Sequence, residues 1–428
     1  MSMQSLTRSQ MRQSIGYNLQ DMVLVTASTT GDTSSLIATY SLAKGGDDEY
    51  NGRQVYAVTP AGSIVAAEKS WVSDFDSTNK DATVSPVFTA AIMGGDVFEL
   101  WNVFTVEEIN DEINQAIDHI TSKALQVKEI HTPFTESGKY FYNCLSGFTH
   151  VHLVEYVTAI GTEEVIHRCD EAWDELADPT GVTSSLDTSF YKEGGGSVKL
   201  VMTASATTGL LKTMDITSLD ISACTEAQIW VYSTTALDAG DLQLILDDTA
   251  ECASATESLD IPATTANTWT RHIITLANPQ SDSAIISVGI NQVVDKAAFN
   301  LWVDDIKAID ALTNLYEPLP IEYWSISQGS TPYLLLTSKG LGLVGENTQM
   351  KVNGFQIASR LSADSSTSEI DPSYIIARVT GRLLISHAKS SLLDIHDRKS
   401  LSAYWLGEAD KIARKITTTL PGTVREVL

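Results

Sequence analysis

A-F-N-L-W-V-D-D-I-K-A-I (298–309) is an alternating run that contains a carboxylate pair, and it closes a stretch that begins at Arg168. Earlier in that stretch, S-F-Y-K-E-G-G-G-S-V-K-L-V-M (189–202) places a glycine turn before a strand. Between them lie short runs rich in Val, Ile, Thr and aromatic residues, parted by Gly, Asp, Ser and Pro. Such runs, with almost no helical periodicity, are typical of a β-sandwich. The sequence therefore predicts an independent all-β module over residues 168–310.

Length and charge limit the possible classes of protein. The chain has 428 residues, of which 43% are hydrophobic, so we expect two or three folded domains. Its net charge of −26 is uneven: residues 168–310 hold 22 Asp and Glu against 7 Lys and Arg, whereas residues 311–428 hold 11 against 12. Only this last part is expected to approach an anionic partner. The N-terminal residues lack the apolar core of a signal peptide, which predicts that the protein is made and used without secretion through a membrane. The four cysteines include no C-x-x-C pair, which predicts that their thiols stay reduced.

Helices are predicted on either side of the β module. Thr105 and Glu108 form a capping box before a helix over residues 105–128, which has a narrow apolar stripe. Asp371 and Pro372 begin a helical hairpin over residues 371–416, and the chain ends in an extended tail. The flanking strands predict a small antiparallel sheet. The expected fold class is therefore α+β and multidomain, with helices, a small antiparallel sheet and an inserted all-β sandwich.

These patterns predict four segments. Residues 1–167 form the first part of the core, 168–310 the inserted module, 311–416 the second part of the core, and 417–428 the tail.

Two groups of residues in the module are candidates for ligand binding. Asp304 and Asp305 end a buried type of strand, and with Asp170 or Glu171 they could supply clustered oxygen ligands to Ca²⁺; a solvated charge pair is the alternative. Trp230 and Tyr232 share one face of their strand, and with Trp302 they could form an aromatic platform for a sugar, although such residues more often belong to a core.

Other chemistry is weakly indicated. G-L-G-L-V-G (340–345) matches a dinucleotide-binding pattern, but the expected following helix is missing, so a hairpin turn is favoured. No nucleophile motif or carboxylate arrangement points to catalysis. We therefore expect a protein that is not an enzyme and has no cofactor apart from structural calcium.

The module resembles the carbohydrate-binding-module-like jelly rolls. The resemblance rests on Cys169, Glu171 and Trp173, on Y-K-E-G (191–194) leading into S-V-K-L (197–200), on Trp269, and on L-W-V-D-D-I (301–306). It covers about a third of the chain. It implies a structural calcium ligand at Asp304, and it indicates a fold better than an activity.

The flanking parts resemble the head–tail adaptor (connector) proteins of tailed bacteriophages. The similar segments are S-L-T-R-S-Q-M-R-Q-S-I-G (5–16), V-E-E-I-N-D-E-I-N-Q-A-I (106–117), the helical hairpin and L-P-G-T-V-R-E-V (420–427). The resemblance implies a helical core, beside the jelly roll, that forms a ring at the head–tail interface of the virion, and the ring is expected to be a dodecamer. The ring would dock under the portal protein, meet tail or neck proteins and pass DNA without recognising its sequence. The implied partner contacts are Arg378, Arg382, Lys411, Arg414, Lys415, Leu420, Pro421, Val424 and Val427.

Two alternatives to this adaptor function remain. The first is a virion-surface adhesion protein that binds host glycans through the jelly roll. The second, least favoured, is a glycan hydrolase with an accessory binding module.

Overall fold

The computed structural model describes residues 5–174, 179–327, 331–386, 395–418, 420 and 424–427. The chain forms two compact units. The first comprises residues 1–128, 147–149 and 355–422, and the second comprises residues 129–146, 150–354 and 423–428. Over the part of the chain that is described, 36% is strand and 21% is helix, in five helices. The predicted helical core with a small antiparallel sheet is therefore wrong, because the strand-like runs assemble into a six-stranded sheet in the first unit and into several sheets in the second.

The first unit contains a sheet with the strand order β1-β6-β3-β4-β5-β2. One face packs on a core that includes Val25, Phe75, Phe98 and Leu100. The strands are β1 (Met22–Thr26), β2 (Ser35–Ile37), β3 (Gln54–Thr59), β4 (Lys69–Asp76), β5 (Asp81–Ser85) and β6 (Val97–Trp101).

The helices of this unit share a second core. They are α1 (Arg8–Leu19), α2 (Val106–Thr121), α4 (Pro372–Ser386) and α5 (Ile395–Ile416). The capping box predicted at the start of α2 is confirmed, because Thr105 accepts a bond from the Glu108 backbone and the Glu108 side chain bonds back. Ile109, Ile113 and Ile117 of α2 then pack with Tyr374 and Ile375 of α4. Helices α4 and α5 both lie within residues 371–416, where the helical hairpin is predicted, and residues 387–394 between them lie outside the described residues.

A buried ionic cluster joins three distant segments of the first unit. The Arg12 guanidinium, fully buried, donates to Glu99 (Nε to Oε2, 2.7 Å) and to Asp364 (Nη2 to Oδ2, 2.8 Å). Tyr56 also donates to Asp364 at 2.9 Å. Burial alone would raise the pKa of Asp364, but hydrogen bonds and charge from Arg12, with bonds from Tyr56 and Arg8, lower it to about 2. The Asp364 carboxylate thus remains charged. Arg12 and the two carboxylates neutralise one another, so no charge in the cluster is buried without a partner.

The second unit contains a β-sandwich. Its first sheet has the order β11-β12-β19-β14-β17, with β10 also paired to β19, and its second has the order β13-β18-β15-β16. Their strands are β10 (Glu163–His167), β11 (Val182–Asp187), β12 (Ser197–Met202), β13 (Gly209–Leu219), β14 (Glu226–Ser233), β15 (Leu242–Asp247), β16 (Glu257–Asp260), β17 (Thr270–Thr275), β18 (Ile285–Gln292) and β19 (Phe299–Ile309).

The two sheets share one hydrophobic core. Leu200 of β12 and Leu301 and Val303 of β19 meet Val288 and Ile290 of β18 within a single cluster. All pairings within the sandwich are antiparallel. The all-β sandwich predicted from the alternating runs is therefore present, and β10, which precedes residue 168, also pairs with β19.

Smaller elements complete the second unit. One sheet has the order β20-β9-β23-β7, with β24 also paired to β9, and another has the order β21-β22-β8. Their bounds are β8 (Phe141–Tyr142), β9 (His150–Ala159), β20 (Leu315–Pro318), β21 (Trp324–Ser327), β22 (Tyr333–Leu336), β23 (Met350–Gln356) and β24 (Arg425–Glu426); β7 (Gln126–Ile130) leads into this unit.

The glycine-rich segment at residues 340–345 forms a short helix, α3 (Ser338–Val344), so the predicted hairpin turn is wrong. Thr337 caps this helix by accepting a hydrogen bond from the backbone N–H of Gly340. A Cβ at Gly340 would lie 2.5 Å from the carbonyl oxygen of Tyr323. The glycine is thus required by close packing between backbone segments.

Two carboxyl groups meet at an edge of the sandwich. Asp282 is fully buried, and both of its side-chain oxygens lack a hydrogen-bond partner among the described residues. The nearby Glu257 accepts backbone N–H bonds from Asn278 at 2.5 Å and Ala277 at 3.1 Å. Burial, followed by the negative charge of Glu257, raises the pKa of Asp282 to about 7. The folded protein therefore holds a proton here that an unfolded aspartate would release.

We expect the substitution Arg12→Met to destabilise the first unit strongly. It leaves Glu99 and Asp364 without their buried cation, a change that typically costs on the order of 3–5 kcal/mol. Hydrogen–deuterium exchange should show faster exchange in α1 and β6, with the sandwich strands as an internal reference. The control is Arg360→Met, which breaks a pair with Asp118 whose arginine side chain is 71% exposed and should change little. Native protection of α1 in the Arg12 variant would contradict this prediction.

We also expect the substitution Asp282→Asn to stabilise the sandwich at pH 8. The raised pKa means that the protonated group contributes stability that is complete below about pH 4 and is lost as the pH rises through about 7. An amide does not ionise, so the stability that the variant gains over the native protein should shrink from pH 8 to pH 5. Thermal unfolding measures it, with a rise in Tm of roughly 4 °C expected at pH 8. A gain that is equal at both values of pH would contradict the prediction.

Candidate functional site

Four aromatic rings form a continuous platform on the outer face of the first sandwich sheet. We call Phe190, Tyr232, Trp269 and Trp302 the aromatic platform. The ring of Tyr232 lies 5.3 Å from that of Trp302 and 5.7 Å from that of Trp269, and Phe190 lies within 5.4 Å of all three. Strand pairing causes this arrangement, because β14 lies between β19 and β17 and sets Tyr232 directly opposite Trp302.

The platform is separate from the core of the sandwich. Among the described residues, the core cluster includes Trp173 but none of the four platform rings. Phe190, Tyr232 and Trp269 are partly exposed, whereas Trp302 is only 8% exposed and lies beneath them. The sheet thus presents aromatic surface outward in addition to its buried inner face.

Polar groups surround the platform. The Trp302 Nε1–H donates to Asp187 Oδ2 at 3.0 Å, and the Lys199 ammonium lies 4.9 Å from the Trp302 ring centre. This indole bond, together with bonds from Ser189, lowers the pKa of Asp187 to about 2. Asp187 therefore remains an ionised acceptor at the edge of the rings. The Tyr232 hydroxyl donates to Asn267 Oδ1 at 3.4 Å.

Trp230 occupies a different position from the one that sequence analysis suggested. It lies on β14 with Tyr232, but its ring is buried beneath two cations, Lys192 Nζ at 5.0 Å and the Arg271 guanidinium at 5.7 Å. Its indole Nε1–H is buried without a hydrogen-bond partner in the part of the chain that is described. Of the three residues predicted to bind sugar, the structure brings Tyr232 and Trp302 together and places Trp230 under the neighbouring cations.

Two cavities adjoin this face of the sheet. The larger is about 400 Å³ in volume, and its lining includes Phe134, Tyr142, Trp230, Trp269 and Arg271. The smaller is about 290 Å³, and its lining includes Phe134, Gln228, Arg271, Lys307 and Asn347. Trp269 belongs to both the platform and the larger cavity, so aromatic surface continues from the outer face into a recess.

The predicted calcium ligands are engaged in different ways. Asp304 Oδ2 accepts the backbone N–H groups of Lys192 at 2.6 Å and Glu193 at 3.0 Å, and Oδ1 is buried without a hydrogen-bond partner among the described residues. Burial, only partly offset by these bonds, raises the pKa of Asp304 to about 6. Asp305 pairs with Lys307 at 3.1 Å.

Glu171 is the third predicted ligand. Its side chain is 64% exposed, and its Oε1 lies 3.5 Å from His167 Nε2. Within the described ranges, no group of three or more His, Cys, Asp or Glu side chains could hold a metal ion. The buried Asp304 oxygen alone does not make a calcium site, so calcium binding stays a prediction.

The residues predicted to contact a portal lie on the helices of the first unit and near the C-terminus. Arg382 pairs with Glu112 at 3.0 Å and Lys411 with Glu408 at 2.6 Å. Arg378 is partly buried, and the exposed members are Lys411, Arg414, Lys415 and Leu420. Pro421 lies outside the described residues. None of these contacts with a partner is tested, and they stay predictions.

The described end of the tail has a partner within its own chain. Arg425 and Glu426 of β24 pair with Val151 and His150 of β9, Val424 is partly exposed, and Val427 is buried. The pairing of β24 with β9 explains why Val427 is apolar, since it is buried next to this strand. No helix in the described part of the chain is long and apolar enough to cross a membrane.

Sequence reasoning missed three residues of this region as ligand-binding candidates. Phe190 precedes the glycine turn, and Trp269 and Arg271 stand two positions apart around the start of β17. Their spacing of two was a signal that both could share a face. Their meeting with Tyr232 and Trp230 depends on strand pairing, which the sequence pattern did not show.

No protein-family model matches the chain, and no curated protein matches its sequence. Solved structures do show similarity. A family 11 carbohydrate-binding module of a cellulosomal cellulase of Clostridium thermocellum is 14% identical, with 36% of this chain and 97% of the module covered at a TM-score of 0.25. A family 30 module of another cellulosomal cellulase of that organism is 14% identical, with 35% and 99% covered at 0.22.

An exo-beta-agarase is 13% identical, with 35% of this chain and 26% of that chain covered at a TM-score of 0.24. At such TM-scores these likenesses carry no argument, and the sandwich rests on its own strand pairing. None of the three is a phage head–tail adaptor, so the second resemblance gains no support from them.

Proposed function

We propose that the β-sandwich is a glycan-binding module whose contact surface is the aromatic platform. The observation that carries the proposal is the position of the rings, which are grouped on the outer face of a sheet and partly exposed. Aromatic side chains that are not needed in a core and remain together at a surface commonly mark a binding site. Glycan binding is the alternative that the sequence analysis had kept open.

The chemistry of the surface suits a sugar. The C–H faces of a pyranose ring are apolar and stack on aromatic rings, whereas its hydroxyl groups need hydrogen-bond partners around the edge. Tyr232 and Trp269 supply partly exposed rings. Trp302 packs beneath them, and its hydrogen bond to Asp187 holds the indole in place. Asp187 offers acceptor oxygens and Lys199 offers a donor beside the rings. A hydroxyl-rich ligand uses all of these groups.

The larger cavity extends the proposed surface. Because Trp269 lines it, a ligand on the platform can continue into a recess of about 400 Å³, which falls in the usual size range for small-molecule sites. A linear oligosaccharide can occupy both the open platform and the recess. The similar structures include carbohydrate-binding modules by name, and the proposal for this chain stands on its own geometry.

The head–tail adaptor function is not proposed as the main function. It depended on a helical ring body, and the mostly β fold removes that basis. The expected portal, neck and tail partners, the dodecameric ring and the virion location have no supporting observation. A binding role without catalysis remains part of the present proposal.

We expect Tyr232→Ala and Trp269→Ala each to weaken oligosaccharide binding by roughly fivefold. Each change removes one ring, and a stacked ring contributes about 1 kcal/mol. A glycan array with the full chain identifies the ligand, and titration calorimetry then measures Kd for native protein and variants.

The matched control is Tyr404→Ala, which removes a 59% exposed aromatic ring from α5 and should leave Kd unchanged. Thermal unfolding verifies that each variant is folded. The proposal fails if the native chain binds no glycan on the array, or if both platform variants bind as tightly as the native protein.

A further inference from the structure

We infer that Arg271 forms a subsite for a carboxylate group on the glycan, so that the module prefers sugar chains containing uronic acids. This inference rests on the proposed glycan-binding function and specifies the chemistry of its ligand. Its basis is a cation that lines both cavities and has no ion-pair partner among the described residues.

The Arg271 guanidinium is held in place mainly by rings. It lies 4.4 Å from the ring centre of Phe134 and 5.7 Å from that of Trp230. Among the described residues it makes one hydrogen bond, from Nη2 to Gln228 Oε1 at 2.6 Å, and its Nε–H is buried without a partner. Stacking fixes the plane of the guanidinium while leaving hydrogen-bond donors unused.

The nearest carboxylates are occupied by other groups. Glu193 accepts a bond from Asn347 Nδ2 at 2.8 Å. Glu163 and Asp305 both face Lys307, at 3.6 Å and 3.1 Å. These carboxylates lie near enough to influence Arg271 electrostatically, but none forms an ion pair with it. Lys307 is therefore neutralised locally, and Lys139, which also lines the larger cavity, pairs with Glu136 at 2.5 Å. Among the described lysines and arginines that line the two cavities, Arg271 is the one without an ion-pair partner, so an incoming anion can pair with it.

The position of Arg271 suits a chain-like ligand. Arg271 and Phe134 line both the cavity of about 400 Å³ and the cavity of about 290 Å³. A sugar in the larger cavity, next to Trp269, can thus direct a substituent towards the guanidinium.

A carboxylate suits this position better than a hydroxyl. Burial lowers the pKa of Arg271, because its positive charge is removed from water without a paired anion. A planar carboxylate matches the fork of guanidinium donors and forms charge-assisted bonds that are shorter and stronger than neutral ones. A hydroxyl acceptor would satisfy one donor and leave the charge uncompensated.

The acidic character of the chain gives the subsite a distinctive response to salt. With a net charge of −26, the protein repels anions at long range, and salt screens that repulsion. A buried pair is screened much less. Binding of an acidic sugar at Arg271 should therefore hold or strengthen as salt rises, whereas loose attraction to surface lysines would weaken.

The test compares two probes on the full chain: a tetramer of galacturonic acid and the same tetramer with its carboxyl groups reduced to alcohols. We expect the native protein to bind the acid about tenfold more tightly, since charge-assisted bonds contribute roughly twice as much as neutral ones. The substitution Arg271→Gln should remove most of this preference, and Arg271→Lys should keep part of it. Both titrations are repeated at low and at physiological salt.

The matched control is Arg425→Gln. Arg425 also stacks on a tryptophan, Trp324, at 4.9 Å and also has a buried Nε without a hydrogen-bond partner among the described residues, but it does not line either cavity. It should keep the preference for the acid. Equal affinity for the two tetramers, or a preference that falls steeply with salt, overturns the carboxylate subsite while leaving glycan binding intact. Failure to bind either tetramer or any glycan on the array removes the proposed function as well.

Discussion

A two-sheet sandwich can bury only one face of each sheet in the core between the sheets, and this constraint governs the second unit. Alternate residues of β14 and β19 point inward, so Val231, Leu301 and Val303 fill the core. The residues between them must point outward. Tyr232 and Trp302 are such residues, and their grouping with Phe190 and Trp269 gives the outer face an aromatic surface that the core does not require. The proposed glycan binding follows from the aromatic rings on this outer face.

Buried charge is handled differently in the two units. In the first unit, Arg12 is surrounded by carboxylates and a tyrosine ring, and every strong interaction of that cluster stays within the unit. In the second unit, Arg271 is stacked between rings and has a single hydrogen bond to an amide among the described residues. The first arrangement is a completed structural device, because each ion has its partner. The second leaves donors unused beside two cavities, which is the pattern expected where a ligand completes the site.

Several features were predictable because they depend on neighbours along the chain. The Thr105 capping box, the helix that follows it and the short strands of the sandwich are all encoded in local spacing. The helical-core fold class was wrong because a few strong helical patterns were extended, by resemblance, to segments whose own periodicity was that of strands. The prediction of a turn at residues 340–345 was also wrong, since α3 forms there with Gly340 packed against the Tyr323 backbone.

By itself, the sequence determined the periodicity of each segment, the acidic charge and the presence of a β module that contains aromatic residues. Local spacing suffices for these features, because alternation and capping involve residues only a few positions apart. Only the tertiary structure decided that β14 lies between β17 and β19, which places Arg271 opposite Trp230 and Tyr232 opposite Trp302. Tyr232 and Trp302, for example, are 70 positions apart in the sequence. They are selected by burial of the whole inner face, a long-range property that no single stretch of sequence contains.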